Sequence, residues 1–263
     1  MIIDFHTHMF PDKIAARTID FLSKTGGDMN PFTNGTWEGL KASTEQAGID
    51  HSIVLPIATK PSQFHTINEF ASHFQEGTLI SFGSLHPESE NYKEELRQIR
   101  DMGMKGIKLH PDYQDTYFND IRYKRIISYA TELGLVVSVH AGLDPKCPDD
   151  IHCTPAMAEE VLNEVEPEKL VLAHMGGNEL WDEVEERLIG RNVYFDTGVI
   201  LDRMPQEQFL CMVREHGADR IVFGTDSPWA DQKKFVEILK AMPLEEEERE
   251  QIFSGTAVKL LGL

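Results

Sequence analysis

Short apolar runs recur along the chain, and segments of helical character separate them. Eight such runs stand at residues 1–5, 51–57, 79–85, 106–110, 135–140, 169–174, 192–196 and 220–226. Most are nearly continuous in Val, Ile and Leu, which is typical of strands buried on both faces of a parallel sheet. The pattern therefore predicts parallel strands joined by helices.

Helix signals in the intervening segments support this interpretation. The segment YKEELRQIRDMG ends at Gly103 and IRYKRIISYATELG ends at Gly134, while Thr154 and Pro155 have the residue types of a helix N-cap and first position. Alternating strands and helices predict a single-domain (β/α)8 barrel over residues 1–263. An open doubly wound sheet is the alternative, but no glycine-rich phosphate-binding turn follows the first strand.

The longest gap between predicted strands separates the first two runs. It contains TGGDMNPFTNG at residues 25–35, which has the composition of a loop. We place this loop over the barrel mouth, where two interpretations stay open: a lid and a plain connection.

Composition and charge narrow the function classes. The chain has 25 Lys and Arg against 44 Asp and Glu, a formal net charge of −19, which repels nucleic acid and anionic membranes. No stretch approaches the ~18 apolar residues of a membrane helix, and the N-terminus lacks a signal-peptide layout, so we predict a cytoplasmic protein. The three cysteines show no CxxC spacing, which favours reduced thiols.

The ends of the predicted strands are rich in histidine and aspartate. These residues are His6, His8, His86, His110, His140, His174, Asp196 and Asp226. Barrel active sites form at the carboxyl ends of the strands, so the set outlines a site. Spacing of i and i+2 places His6 and His8 on one face of a strand, which suits a metal; two surface histidines in a loop are the alternative.

Four motifs carry a resemblance to a known family. They are DFHTH, VVSVHAG, LVLAHMGG and RIVFGTDSPW, at predicted strands 1, 5, 6 and 8. With them the chain resembles the amidohydrolase superfamily, in particular the amidohydrolase-related branch that includes aminocarboxymuconate semialdehyde decarboxylase. The likeness spans nearly the whole chain.

The resemblance implies a ligand set and an acid–base group. His6, His8, His140 and Asp226 would bind one divalent metal, with Zn²⁺ expected and Mn²⁺ as an alternative. His174 would be the acid–base residue, and Asp226 would also accept a proton from the water on the metal. Three imidazoles and a carboxylate suit such ions. Apart from the resemblance, Asp196 is a candidate partner for a metal ligand or for a substrate group, because metal-bound histidines usually donate their second N–H to such an acceptor.

The fourth predicted strand, at residues 106–110, departs from the decarboxylase-like pattern. Its GIKLHP motif carries Lys108 and His110 two residues apart, so both project to the same side. A lysine here resembles the carboxylated lysine that bridges two metals in hydantoinase-like and phosphotriesterase-like members. We favour an unmodified Lys108 that binds an anionic substrate, because an unpaired carbamate would be a costly buried charge. A second metal is expected only if Lys108 is carboxylated.

Loops after the strands supply further substrate-binding candidates. These are Lys60, Tyr113, Arg203 and Trp229, with solvated loop positions as the alternative. We interpret CPDDIHCTP at residues 147–155 as a substrate loop and leave Cys147, His152 and Cys153 without a role.

We predict hydrolysis of a small lactone, ester or amide by a metal-activated water, since Lys108 and His110 would polarise a carbonyl. The alternative is a metal-dependent decarboxylase of a small unsaturated or aromatic carboxylic acid, with Arg203 or Lys108 holding the carboxylate. A non-catalytic metal-binding barrel is a third alternative, disfavoured because the ligand set and His174 are both present. A homodimer is a class expectation only.

Overall fold

The computed structural model describes residues 1–27 and 29–263. The described residues form nine strands, β1 Ile3–Thr7, β2 His51–Val54, β3 Leu79–Ser81, β4 Gly83–Ser84, β5 Gly106–Leu109, β6 Val136–Val139, β7 Leu170–Leu172, β8 Tyr194–Asp196 and β9 Ile221–Val222. Their eleven α-helices are α1 Asp12–Thr25, α2 Trp37–Gln46, α3 Phe64–Ala71, α4 Tyr92–Asp101, α5 Ile121–Glu132, α6 Pro155–Val165, α7 Trp181–Arg187, α8 Gln206–His216, α9 Gln232–Ala241, α10 Glu246–Glu250 and α11 Thr256–Leu261. Strands and helices alternate as predicted.

One predicted run forms two strands. Residues 79–85 divide into β3 and β4, with Phe82 between them. The reason is that the two parts of the run pair with different strands: β3 lies next to β2 in one sheet, and β4 lies next to β5 in another. The Asn68 side chain also accepts from Ser84 N at 2.9 Å and donates to Ser84 O at 2.8 Å.

The described chain divides into two compact units, which we call unit 1 and unit 2. Unit 1 comprises Met1–Val54, Glu76–Ile80 and Asp196–Leu263, and unit 2 comprises Leu55–Gln75 and Ser81–Phe195. Each unit has its own buried apolar side chains.

In unit 1, β1 pairs in parallel with β2, and Ile3 lies opposite His51. Phe5 N donates to Phe223 O at 2.7 Å, which ties β1 to the segment after β9. Both faces of β1 are buried, although Asp4, His6 and Thr7 of the strand are polar.

In unit 2, β4, β5, β6, β7 and β8 pair in this order, and every pairing is parallel. The β5 and β6 strands are buried along their whole length. Thr154 caps α6 by accepting a hydrogen bond from Met157 N, and Pro155 opens the helix, which confirms the predicted helix start.

The segment predicted as a loop over the barrel mouth joins two helices of unit 1. α1 ends at Thr25 and α2 begins at Trp37, while position 28 lies outside the described residues. Phe10 N donates to Gly35 O and Phe32 N donates to Pro228 O, both at 2.8 Å. The lid interpretation stays a prediction.

We expect Asp120→Ala to lower the free energy of unfolding by about 1 kcal/mol, the usual cost of losing an N-cap. The Asp120 carboxylate caps α5 by accepting from Arg122 N at 2.8 Å and also pairs with the Arg122 guanidinium. Urea unfolding monitored by circular dichroism would measure the loss. Asp20→Ala is the control, because Asp20 forms an exposed pair with Lys24, and an equal loss in both variants would contradict the capping role.

The lowered pKa of the Asp120 carboxyl predicts that the stability of the fold depends on pH. The Arg122 hydrogen bonds lower the pKa of Asp120 from 3.8 to about 2. A carboxyl with a lowered folded-state pKa stabilises the fold above its unfolded pKa and loses that contribution as the pH falls towards 2. The stability difference between wild type and Asp120→Ala should therefore shrink on acidification.

Candidate functional site

Three side chains of unit 1 converge at the end of β1, and we call them the HxH cluster: His6, His8 and Asp226. His8 Nε2 lies 3.0 Å from Asp226 Oδ1, His6 Nε2 lies 3.4 Å from the same oxygen, and the two Nε2 atoms are 3.2 Å apart. The His6 side chain is buried and those of His8 and Asp226 are mostly buried. Two imidazole nitrogens and a carboxylate oxygen facing one point form a donor set that fits a divalent transition metal.

The backbone fixes this convergence. Strand β1 extends to Thr7, two residues beyond the predicted run, so His6 lies within it and His8 follows it. Asp226 N donates to His6 O and His8 N donates to Ser227 O, both at 2.7 Å. These two bonds hold the Asp226 segment alongside β1, although β9 itself ends earlier, at Val222.

Asp226 has a left-handed backbone, with φ of 65°. Residues other than glycine adopt this conformation at a cost, and such strain concentrates at functional sites. The conformation supports a functional assignment of this carboxylate.

A buried carboxylate orients His6. Asp196 Oδ2 lies 2.9 Å from His6 Nδ1, which leaves Nε2 of the ring to face the HxH cluster. Gly224 makes room for this ring, because a Cβ atom at Gly224 would lie only 2.9 Å from His6 Cβ. Metal-binding histidines usually hold their second nitrogen in this way.

We expect Asp196→Asn to weaken metal binding by about 10- to 100-fold, because the amide fixes the His6 ring less firmly than the carboxylate does. Competition with a chromogenic chelator would measure the metal dissociation constant. Asp202→Asn, which alters a surface carboxylate paired with Lys234, is the control. Equal affinity in Asp196→Asn and wild type would contradict the orienting role.

A second buried carboxylate of unit 1, that of Asp4, accepts hydrogen bonds from residues next to the HxH cluster. Asp4 Oδ2 accepts from Thr225 Oγ1 at 2.6 Å and from Gln232 Nε2 at 2.8 Å, and Oδ1 accepts from the backbone N of Thr225 and His6. Burial raises the pKa of Asp4 to about 7, against the effect of these hydrogen bonds. Asp4 thereby links β1, the residue before Asp226 and helix α9.

Unit 2 contains a group of buried histidines. The His110 ring stacks on the His140 ring, with centroids 4.1 Å apart, and on Tyr113 at 3.8 Å. His174 Nε2 lies 3.0 Å from His140 Nδ1, and Asp144 Oδ2 lies 3.6 Å from His110 Nε2. His110, His140 and Asp144 could together hold a cation. The structure thus brings together three residues that the strand-end pattern singles out.

His174 also has a left-handed backbone, with φ of 60°. Trp181 Nε1 donates to its carbonyl oxygen at 3.1 Å, and the His174 side chain is buried. A strained conformation held by a tryptophan is consistent with a functional residue.

The remaining candidates occupy different environments. The Lys108 side chain is buried on β5, and the Lys108 backbone carbonyl accepts a hydrogen bond from Ser84 Oγ at 2.9 Å. Lys60 and Arg203, in contrast, are exposed to solvent. Trp229 is half-buried, and its N donates to Asp226 O at 2.9 Å. Their substrate-binding roles stay predictions.

Sequence reasoning missed two acidic residues beside the unit 2 histidines. Asp112 follows His110 by two residues and Asp144 follows His140 by four, and both are buried. An aspartate so soon after a strand-end histidine was the signal that could have found them. Burial raises the pKa of Asp112, while its hydrogen bonds from His152 oppose that shift.

Comparison with known proteins decides the family. The family model described as Amidohydrolase matches residues 3–263. The chain belongs to the amidohydrolase family. No curated protein matches it. The resemblance read from the four strand motifs is confirmed.

Solved structures of similar fold include decarboxylases. An uncharacterized TIM-barrel protein from Bordetella bronchiseptica has 20% identity, covering 99% of this chain and 98% of its own, with a TM-score of 0.76. 2,6-Dihydroxybenzoate decarboxylase from Rhizobium has 16% identity, covering 99% and 98%, with a TM-score of 0.75. Dihydroxybenzoic acid decarboxylase from Polaromonas, with bound manganese and 2-nitroresorcinol, has 15% identity, covering 100% and 97%, with a TM-score of 0.73.

These likenesses establish the fold class. The predicted α/β barrel is confirmed, and the family to which the chain belongs is one of enzymes. Among the described residues, none of the helices has both the length and the apolar character that a membrane span requires.

Proposed function

We propose that this enzyme is a metal-dependent decarboxylase of a small hydroxylated aromatic carboxylic acid. The observation that carries the proposal is the HxH cluster, in which ligand atoms of His6, His8 and Asp226 lie within 3.4 Å of one another. Structures of the same fold include two decarboxylases of dihydroxybenzoates, one of them with bound manganese, which supports this reaction over others.

The HxH cluster is proposed to hold one divalent ion, Zn²⁺ or Mn²⁺. Such an ion supplies a Lewis acid that binds anionic oxygens of a substrate. The resemblance implies His140 as a further ligand and His174 as the acid, and both assignments stay predictions that rest on it. The proposed catalytic domain spans residues 1–263, supported by the family match over residues 3–263.

The chain's own residues have defined tasks in this proposal. Asp196 holds the His6 ring, and the bonds from Asp226 N and His8 N keep the ligand segments side by side. Breaking the bond between ring carbon and carboxylate leaves an electron pair on that carbon, and a proton must replace the departing carbon dioxide. The proposed donor is His174, as the imidazolium form, and the imidazole regains its proton from solvent.

Hydrolysis, the main prediction from the sequence, has less support than its alternative. Two of the three similar structures described above are named as decarboxylases, and the third is named as an uncharacterized TIM-barrel protein. Hydrolysis of a lactone, ester or amide therefore stays a prediction, as do a homodimer and a cytoplasmic location. Lys108 and Arg203 stay the predicted cations for an anionic substrate.

A substrate screen tests the proposed function. Enzyme loaded with Zn²⁺ or Mn²⁺ would be incubated in oxygen-18 water with hydroxybenzoates, lactones, esters and amides, and evolved carbon dioxide and product mass would be recorded. We expect a hydroxybenzoate to lose carbon dioxide with no solvent oxygen in the aromatic product. Solvent oxygen in a product that keeps all its carbon would contradict the proposal and support hydrolysis.

A further inference from the structure

Two neighbouring loops of unit 2 bring three different metal-binding side chains together. Asp112, Cys147 and His152 each offer one ligand atom, and these atoms lie within 4.8 Å of one another. We call them the loop cluster. None of the three belongs to the HxH cluster, and the proposed function gives them no role.

Hydrogen bonds join the loop that follows β5 to the loop that follows β6. Phe118 N donates to His152 O at 2.8 Å, and His152 N donates to Asp112 Oδ1 at 3.3 Å. The His152 ring also stacks on Tyr117, with centroids 4.7 Å apart. The cluster is therefore part of ordered loop structure, with two of its three side chains buried.

Asp112 is the residue whose environment most needs a cation. Its side chain is fully buried, and Oδ1 lies 3.1 Å from His152 Nδ1. Oδ2 lies 3.9 Å from His140 Nε2 and 4.0 Å from His110 Nδ1, and it accepts no hydrogen bond from any residue that the structure describes. A buried carboxylate oxygen without a donor is costly, and a bound cation removes that cost.

Cys147 adds a soft donor to this carboxylate and imidazole. Its thiol is half-buried, and both burial and the Asp112 carboxylate raise its pKa, so it keeps its proton when no cation is present. A metal that binds sulfur would displace that proton to solvent and form a metal–thiolate bond. Sulfur, nitrogen and oxygen donors together select zinc-like ions over Mg²⁺ or Ca²⁺.

We propose that Asp112, Cys147 and His152 form a second metal site, which takes Zn²⁺ or a similar thiophilic divalent ion and fixes the loop between Cys147 and His152. This proposal does not rest on the proposed function, because Asp112, Cys147 and His152 have no task in the proposed decarboxylation. A protein without decarboxylase activity would still show it, and the proposed function would survive its absence.

Cobalt substitution tests the site directly. Protein stripped of metal and titrated with Co²⁺ should develop the near-ultraviolet charge-transfer band of a cobalt–thiolate bond. Cys147→Ser should abolish the band and lower the zinc content measured by mass spectrometry by about one ion per chain. Cys211→Ser, which alters an exposed cysteine, is the matched control and should keep both the band and the zinc.

Two further variants keep the test decisive. Cys153→Ser alters the buried cysteine next to His152 and should keep the band, and His152→Gln should weaken Zn²⁺ binding at this site while circular dichroism shows an intact fold. A wild-type protein that binds Co²⁺ without a thiolate band, or that keeps its full zinc content in Cys147→Ser, would overturn the proposal. A band lost only in Cys153→Ser would overturn it as well.

Discussion

Asp226→Asn is expected to release the metal and to lower kcat/KM by about 10³-fold, since a Lewis acid contributes several kcal/mol to such reactions. Asp226 Oδ1 is the shared neighbour of His6 Nε2 and His8 Nε2, at 3.4 and 3.0 Å. A neutral amide in its place removes the negative charge that offsets the cation. Metal content measured by mass spectrometry and steady-state kinetics would report both effects.

Asp219→Asn serves as the control, because Asp219 is an exposed carboxylate elsewhere in unit 1. It should keep the metal and the activity. An Asp226→Asn protein that retains a full complement of metal and normal turnover would show that the HxH cluster is a structural group without a metal-binding role.

His174→Asn is expected to keep the metal and to lower kcat by about 10²- to 10⁴-fold, the usual contribution of a general acid or base. Asparagine preserves a polar side chain but cannot carry the proton that a decarboxylated carbon requires. Its tolerance of left-handed backbone also suits the φ of 60° at this position, so the fold should persist. Kinetics and metal content of the same preparation would be compared.

His73→Asn, which changes an exposed histidine of unit 2, is the control for His174→Asn. The two possible failures have different meanings. Loss of metal together with activity would identify His174 as a ligand. Unchanged turnover would remove it from the reaction altogether.

Strand and helix positions followed from sequence because the local signals agree with the packing. Nearly continuous Val, Ile and Leu runs became strands buried on both faces, and Thr154 with Pro155 marked the start of α6. The run at residues 79–85 failed as one strand, because β3 pairs with β2 in one sheet and β4 pairs with β5 in another. The choice of strand partner leaves no trace in hydrophobic periodicity.

The candidate site was predictable in part, as the fold was. Alternation along β1 predicted that His6 and His8 project to the same side, and the strand-end pattern placed Asp226 at the same end of the barrel. The assignment of Asp226 as a ligand beside them came from the family resemblance. The unit 2 loops were not predictable in this way, since their shape depends on long-range contacts. Gln114, for example, donates to Ala58 O and Leu85 O at 2.8 Å and accepts from His110 N at 3.0 Å.

Decarboxylation by this enzyme is proposed to require a metal at the HxH cluster. The most direct measurement follows a hydroxybenzoate with a carbon-13 carboxylate in deuterium oxide, with metal-stripped enzyme and with the same enzyme reloaded with Zn²⁺ or Mn²⁺. We expect labelled carbon dioxide and a product with deuterium at the vacated carbon to form in equal amounts, and only after metal is restored. Equal carbon dioxide release by the metal-free protein would contradict it.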